Sequence, residues 1–321
     1  MDDRALLAKL NAESLSGDAL AREFGMTRAA VWKRIQNLRA AGIAIEGRAG
    51  DGYALEQPLE LLEPAAIRAA LPAAVAAGLS DLEVAWTIGS TNTELLKRAV
   101  PEQGVAVLLA ERQTGGRGRR GREWTSPLAA HIYLSLSRGF AGGLARLAGL
   151  SLAIGVAAAE ALRGLGYSQV GLKWPNDLLA DGCKLGGLLV EGGGEMAGPA
   201  RAVIGLGLNV RMPEAFAAGI GQAWTDLEHL AGQPVSRNQV VAALLTALLP
   251  ALDLFEAEGL APFLPRYAAL DLLAGREVRV EEAGIHHHGI ARGLATDGAL
   301  QVEMNGEIRQ FHAGEVSVRA K

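Results

Sequence analysis

The chain has 321 residues, a formal net charge of −4, a half-apolar composition and one cysteine, Cys183. That length suggests two or three domains, each able to bury a core. The charge balance excludes a protein that coats nucleic acid with its whole surface. A single cysteine excludes an intrachain disulfide or multi-cysteine metal site and suits the cytoplasm.

The N-terminus, "MDDRALLAKL", is charged and lacks a signal-peptide core. "LSGDALAREFG" predicts a helix capped by Ser16, and "MTRAAVWKRIQNLRAAG" predicts a second capped by Thr27. Val31, Ile35 and Leu38 fall on one face of that second helix. "IAIEGRAGDGYAL" alternates around Asp51-Gly52, which signals a hairpin. Two helices with a tight turn and a following hairpin make a winged helix-turn-helix. Residues 1–60 are charge-balanced, but from Thr27 to Arg48 there are five positive residues and one negative. The candidate DNA contacts are Thr27, Arg28, Lys33, Arg34, Asn37 and Arg48.

A boundary falls near residue 63, where "EQPLELLEPAAIRAAL" opens an Ala-rich helix. "LEVAWTIGSTN", "GVAVLLAERQ" and "HIYLSLS" predict strands, and "STNTELLKRAV" a helix start. The apolar run Leu147–Leu162 is shorter than the ~20 residues a bilayer span requires, so it predicts a buried helix and no membrane partner. Gly-rich strand and turn segments follow, then helix over 236–270. From about 271, short alternating runs with turns at Asp297-Gly298 and Asn305-Gly306 predict a small all-β unit. The domains are therefore 1–63, 64–270 and 271–321, in an α+β chain.

Between two of the central strands lies "GGRGRRGREW", Gly115–Trp124, with four arginines and four glycines. Gly116, Gly118 and Gly121 have the spacing of a dinucleotide fingerprint, but "REWTSP" and a strand follow where that fingerprint requires a helix. Glycines allow close backbone approach and arginines supply donor forks for carboxylate and phosphate. The composition therefore points to an anion-binding loop that a ligand could order, against the alternative of a solvated connection.

Together with "KWPNDLL" and "CKLGGLLVE", this loop resembles the biotin–protein ligases. The winged helix makes the chain similar to the bifunctional members, which also repress the biotin operon, and the resemblance spans essentially the whole chain. It implies a class II synthetase-like central domain and an SH3-like C-terminal barrel. It also implies ATP-dependent formation of biotinyl-5′-AMP, transfer of biotin to a lysine of a biotin carboxyl carrier protein, Mg²⁺, and an adenylate-bound homodimer on operator DNA. By resemblance, Lys184, Arg117 and Arg119 are the catalytic cations. Ser90, Thr91, Asn92, Gln113, Gly116, Gly187, Leu189, Gly205 and Gly207 complete the biotin pocket. Asn176, Asp177, Asn209, Trp224 and Arg319 lie on the adenylate side with Arg119, Asp177 also toward the metal.

Thr125 stands where the family pattern has an aromatic, and His131 where it has an amide or glycine. Cys183 reads as a small core residue. His286-His287-His288 lacks acidic or thiol partners at ligand spacing, and alternation on a strand lets at most two of the three share a face. Three alternatives stay open: a ligase that does not repress, a DNA-binding sensor without activity, and a lipoate-ligase relative.

Overall fold

A computed structural model describes residues 3–48, 52–194, 198–282, 285–313 and 316–320. The N-terminal unit contains α1 (Asp3–Ala12), α2 (Gly17–Glu23), α3 (Arg28–Ala40), β1 (Ile45–Arg48) and β2 (Gly52–Leu55). Ser16 Oγ accepts from Ala19 N at 3.1 Å and Thr27 Oγ1 from Ala30 N at 3.2 Å, so both predicted caps form. Val31, Ile35 and Leu38 are buried with Leu6, Leu7, Leu10 and Leu20. β1 and β2 pair antiparallel as the wing; Asp51 of its turn lies outside the described residues.

The central unit follows as α4 (Pro64–Ala69), α5 (Ala73–Ala77), β3 (Leu79–Ile88), α6 (Thr91–Lys97), β4 (Val105–Gln113) and β5 (Ile132–Phe140). Next come α7 (Leu150–Gly164), β6 (Val170–Lys173), β7 (Asp177–Ala180), β8 (Cys183–Gly194) and β9 (Ala200–Leu208). α8 (Glu214–Ala217), α9 (Leu227–Ala231), α10 (Arg237–Glu258) and α11 (Leu264–Ala268) complete it. Its seven strands run in the order β3-β4-β5-β9-β8-β7-β6, parallel only between β3 and β4. The predicted apolar run becomes α7. α10 is longer, 22 residues against 15, and also apolar. By length and composition either segment could cross a membrane, but half or more of each is buried, and their side chains fill the core of this unit.

The C-terminal unit is a five-stranded antiparallel sheet of β10 (Glu277–Glu282), β11 (Ile285–Leu294), β12 (Leu300–Met304), β13 (Glu307–Phe311) and β14 (Val316–Ala320), in the order β13-β12-β11-β10-β14. Asn305 and Gly306 both have positive φ, 53° and 85°, as a two-residue hairpin turn requires. Trp174 Nε1 donates to Gly298 O at 3.0 Å, tying this unit to the β6–β7 turn.

A buried strap joins the first two units. Glu111 of β4 accepts from Leu62 N at 2.6 Å and from Arg237 of α10 at 2.8 Å, with the two side chains 1% and 4% exposed. Asn238 Oδ1 accepts from Glu63 N and its Nδ2 donates to Leu61 O. On the other side of the strap, Leu128 N donates to Ala41 O at 2.8 Å, and Leu128 and Ala129 enter the N-terminal core.

Candidate active site

A cleft of about 830 Å³ opens on the face of the sheet beneath the arginine loop. Ser90 caps α6, its Oγ accepting from Thr93 N at 3.4 Å, and so places Thr91 and Asn92 at the cleft wall. Gln113, at the end of the parallel neighbour β4, accepts from Thr91 N at 2.9 Å. Ser135 on β5 lies 2.6 Å from Asn92 Oδ1 and 2.7 Å from Thr91 Oγ1. The amide oxygen can only accept, so the Ser135 hydroxyl donates to it and turns lone pairs toward Thr91. Asn92 Nδ2 donates to Leu189 O and to Glu191. The result is a buried line of oriented hydroxyl and amide groups along one wall.

Small residues keep that wall open. A Cβ on Gly205 would sit 2.5 Å from Asn92 Oδ1, and one on Gly207 2.6 Å from the Trp124 ring. Trp124 is therefore a wall of the cleft, with its indole Nε1 buried and lacking a protein acceptor among the described residues. Gly187 and Leu189 line the same cavity.

The arginine loop folds back on itself. Gly118 N donates to Arg122 O at 2.7 Å, the backbones of Arg117 and Glu123 pair antiparallel, and Arg120 and Gly121 turn the chain with φ of 58° and 70°. Gly116 lies under the loop rather than on the wall: a Cβ there would meet Trp124 O at 2.7 Å and Ser126 Oγ at 2.8 Å. Arg117 donates to Glu191 and Thr93. Arg119 donates to Asn176 Oδ1 at 3.2 Å and to the carbonyl of Ala313 in the C-terminal unit. Burial lowers the pKa of Arg119 from its ordinary value, and the nearby charge of Asp177 acts the other way.

Lys184 enters from β8, its Nζ 2.7 Å from Asp177 Oδ1 and 5.7 Å from the centre of the Trp124 ring. Both charged side chains are about one-fifth exposed and face the cleft. Lys184 is held through its backbone: its N donates to Ala223 O, its O accepts from Thr225 N, and Asn209 Nδ2 donates to the carbonyls of Lys184 and Thr225. Among the described residues no group of three acidic, histidine or cysteine side chains forms a closed metal cage, the His286–His288 run included.

Of the residues singled out in the sequence, Ser90, Thr91, Asn92, Gln113, Arg117, Arg119, Asn176, Asp177, Lys184, Gly187, Leu189, Gly205 and Gly207 line this one cleft. Asn209 and Trp224 do not line it: Asn209 supports Lys184 from behind, and Trp224 pairs with Lys184 along the backbone. The Arg319 side chain lies outside the described residues, although its neighbour Val318 lines the cleft. Sequence reasoning missed Ser135, Glu191 and Trp124 as parts of the site. Two serines spaced by two on the buried strand "LSLS" were the available signal for Ser135.

On α3, Arg28, Lys33 and Asn37 are exposed. Arg34 turns instead toward α1 and pairs with Asp3 at 2.7 Å. Trp32, which the sequence reading did not select, is 56% exposed beside them. The Arg48 side chain lies outside the described residues.

Models of three families match in chain order: an HTH domain at residues 3–54, the biotin/lipoate A/B protein ligase family at 84–209, and a biotin protein ligase C terminal domain at 274–319. The "Bifunctional ligase/repressor BirA" of Escherichia coli is 41% identical, covering 98% of this chain and 96% of that protein. Its namesake in Bacillus subtilis is 28% identical over the same shares. Among solved structures, the biotin protein ligase from Aquifex aeolicus in complex with biotin and ATP superposes with a TM-score of 0.66 at 26% identity. That match covers 75% of this chain and all of the other.

Proposed function

The chain belongs to the bifunctional ligase/repressor family of biotin–protein ligases, and we propose that it makes biotinyl-5′-AMP from biotin and ATP. It then transfers biotin to one lysine of a biotin carboxyl carrier protein in the cytoplasm. The observation that carries this reading is the convergence of Lys184, Arg117 and Arg119 on one cleft with a wall of hydroxyl and amide groups.

Biotin's ureido ring offers one carbonyl and two N–H groups, which match the Ser90, Thr91, Asn92 and Gln113 groups at the cleft wall, with Ser135 orienting Thr91 and Asn92 from behind. Its carboxylate oxygen attacks the α-phosphorus of ATP and pyrophosphate leaves. Two anions must approach, and the trigonal-bipyramidal centre gathers further charge. Lys184 is the mobile point charge suited to both the carboxylate and the α-phosphate, and Arg119 presents a fork to the phosphates. In the second step the carrier lysine amine attacks the acyl carbon, and AMP leaves with the phosphate-side oxygen.

Mg²⁺ takes one or two carboxylates plus substrate phosphates. Asp177 is the carboxylate that would hold it, with Asn176 beside it, and the ion would neutralise phosphate charge. Asp177 is paired with Lys184, and a metal held there would compete for that carboxylate and leave the Lys184 ammonium for the substrate anions.

The test is biotin-dependent exchange of pyrophosphate into ATP, followed by biotinylation of a carrier domain read by mass. Lys184→Ala is expected to slow adenylate formation by about 100-fold or more, the order seen when a preorganised transition-state donor is removed. Folded protein without exchange would refute the ligase reading; labelling with lipoate in preference to biotin would replace it.

The exposed cations of α3 support a second activity, biotin-responsive repression by a homodimer bound to a palindromic operator. Gel shifts with the gene's own upstream DNA, with and without biotin and ATP, test it. No specific shift would leave a ligase that does not repress.

A further inference from the structure

The carboxylate of Glu191 sits where three parts of the site meet. It projects from β8 opposite Val203 of β9, beyond the Leu189 carbonyl that Asn92 also uses. Asn92 Nδ2 donates to its Oε2 at 2.9 Å, and Arg117 Nη2 lies 3.1 Å from each oxygen. The same Arg117 nitrogen reaches Thr93 Oγ1 at 3.0 Å. One side chain thereby joins the start of α6, strand β8 and the arginine loop.

We propose that Glu191 is a positioning residue: an internal counter-anion that holds Arg117, and with it the arginine loop, over the cleft before any substrate anion arrives. Four like charges in ten residues repel one another, and glycines at four of those positions leave the backbone free to spread. A carboxylate at the rim opposes both tendencies. The same carboxylate fixes the Asn92 amide, so order in the loop and order in the polar wall depend on one group. Substrate binding then bears less of the cost of ordering either. Arg119 is anchored separately, to Asn176 and Ala313, so Glu191 governs the Arg117 half of the loop.

The proposal rests on the ligase reading only for its substrate arm. In ligand-free full-length protein, trypsin cleavage after Arg119, Arg120 or Arg122, located by mass, is expected to rise about fivefold in Glu191→Gln. Glu191→Asp, which keeps the charge, recovers most of the protection. Arg117→Gln gives a similar rise, and the double variant is cut no faster than either single one, because both remove one interaction. In pyrophosphate exchange, Glu191→Gln raises the biotin KM by about the same factor and changes kcat by less. Wild-type cleavage rates in Glu191→Gln, additive effects in the double variant, or an Asp variant cut as fast as the Gln variant would each overturn the proposal. The cleavage arm uses no ligand, so it decides the role of Glu191 even if wild-type protein shows no exchange and the ligase reading falls.

Discussion

Gly207 gives the sharpest test of how the cleft is built. Its backbone lies outside the left-handed region, so alanine there meets no conformational objection. The obstacle is the ring opposite. A Cβ at 207 would sit 2.6 Å from Cε2 and 2.8 Å from Cζ2 and Nε1 of Trp124. Carbon atoms in contact rest about 3.5–4.0 Å apart, so the indole must retreat by about 1 Å. Its main chain resists, because Trp124 N is bonded to Gly116 O at 2.9 Å. Overpacking of this kind costs about 1–3 kcal/mol. Since the ring is a wall of the cleft and faces Lys184, most of that cost should fall on ligand affinity, a loss of roughly 5- to 150-fold. Titration of biotin into Gly207→Ala, and the biotin KM in pyrophosphate exchange, measure it. Trp124→Phe removes the Nε1 and Cζ2 atoms, so the double variant should bind more tightly than Gly207→Ala alone. A Gly207→Ala protein with wild-type affinity, or a double variant that recovers nothing, would show that Trp124 does not shape the cleft in this way.

Two stability predictions follow from the core. Burial holds His131 neutral, with a pKa lowered to about 3 from an ordinary 6.5. Between those values the unfolded chain binds a proton that the folded chain refuses, so stability falls as pH falls from about 6.5 to 3, by about 1.4 kcal/mol per unit. Urea midpoints at pH 6, 5 and 4 should fall less steeply in His131→Gln, and parallel slopes would refute the assignment. Arg237→Met leaves the Glu111 carboxylate buried without its cation, at a cost of about 3–5 kcal/mol. The urea midpoint should fall accordingly and operator binding weaken, while Glu111→Leu in the same background restores much of the stability; a loss below about 1 kcal/mol would show that the pair is not what holds the strap.

Local chemistry made much of the fold legible. Ser16, Thr27 and Ser90 announce helix starts and cap the helices they announce. The turns at Asp297-Gly298 and Asn305-Gly306 separate strands as their backbone preferences require. The strings that line the cleft are legible because glycine and cation spacing is itself chemical information. What stayed hidden depends on pairing between distant segments. Asn209 and Trp224 belong to the supporting layer because residues 223–225 lie alongside Lys184, which no local pattern states. Arg34 looked DNA-facing on a helical projection, yet Asp3 of another helix draws it inward. Glu191 and Ser135 matter through partners 43 to 99 residues away.

The arginine loop of an acidic protein is resolved by where its charges go. Arg117 is taken by Glu191 and Arg119 by Asn176 and Ala313, so this loop points its cations into a cleft, while the exposed cations of α3 serve another surface. The two surfaces are nevertheless joined by a short run of chain. Trp124 and Thr125 line the cleft, Pro127 O accepts from Tyr133 OH at 2.7 Å, and Leu128 N bonds to the Ala41 carbonyl at the end of α3. A Cβ added at Gly42 would lie 3.0 Å from Pro127 Cβ, so the contact there is close. A ligand that displaces the Trp124 ring therefore acts on a segment whose other end bonds to the C-terminal end of α3. Coupling of adenylate to operator binding requires that the ligand contact the two states of such an element differently. Residues 124–130 form one segment that meets both the cleft wall and the end of α3, and residues 213–222, which pack on Gly42 through Pro213 and Phe216 and line the cleft through residues 219–222, form a second; substitutions in either should alter ligation and repression together.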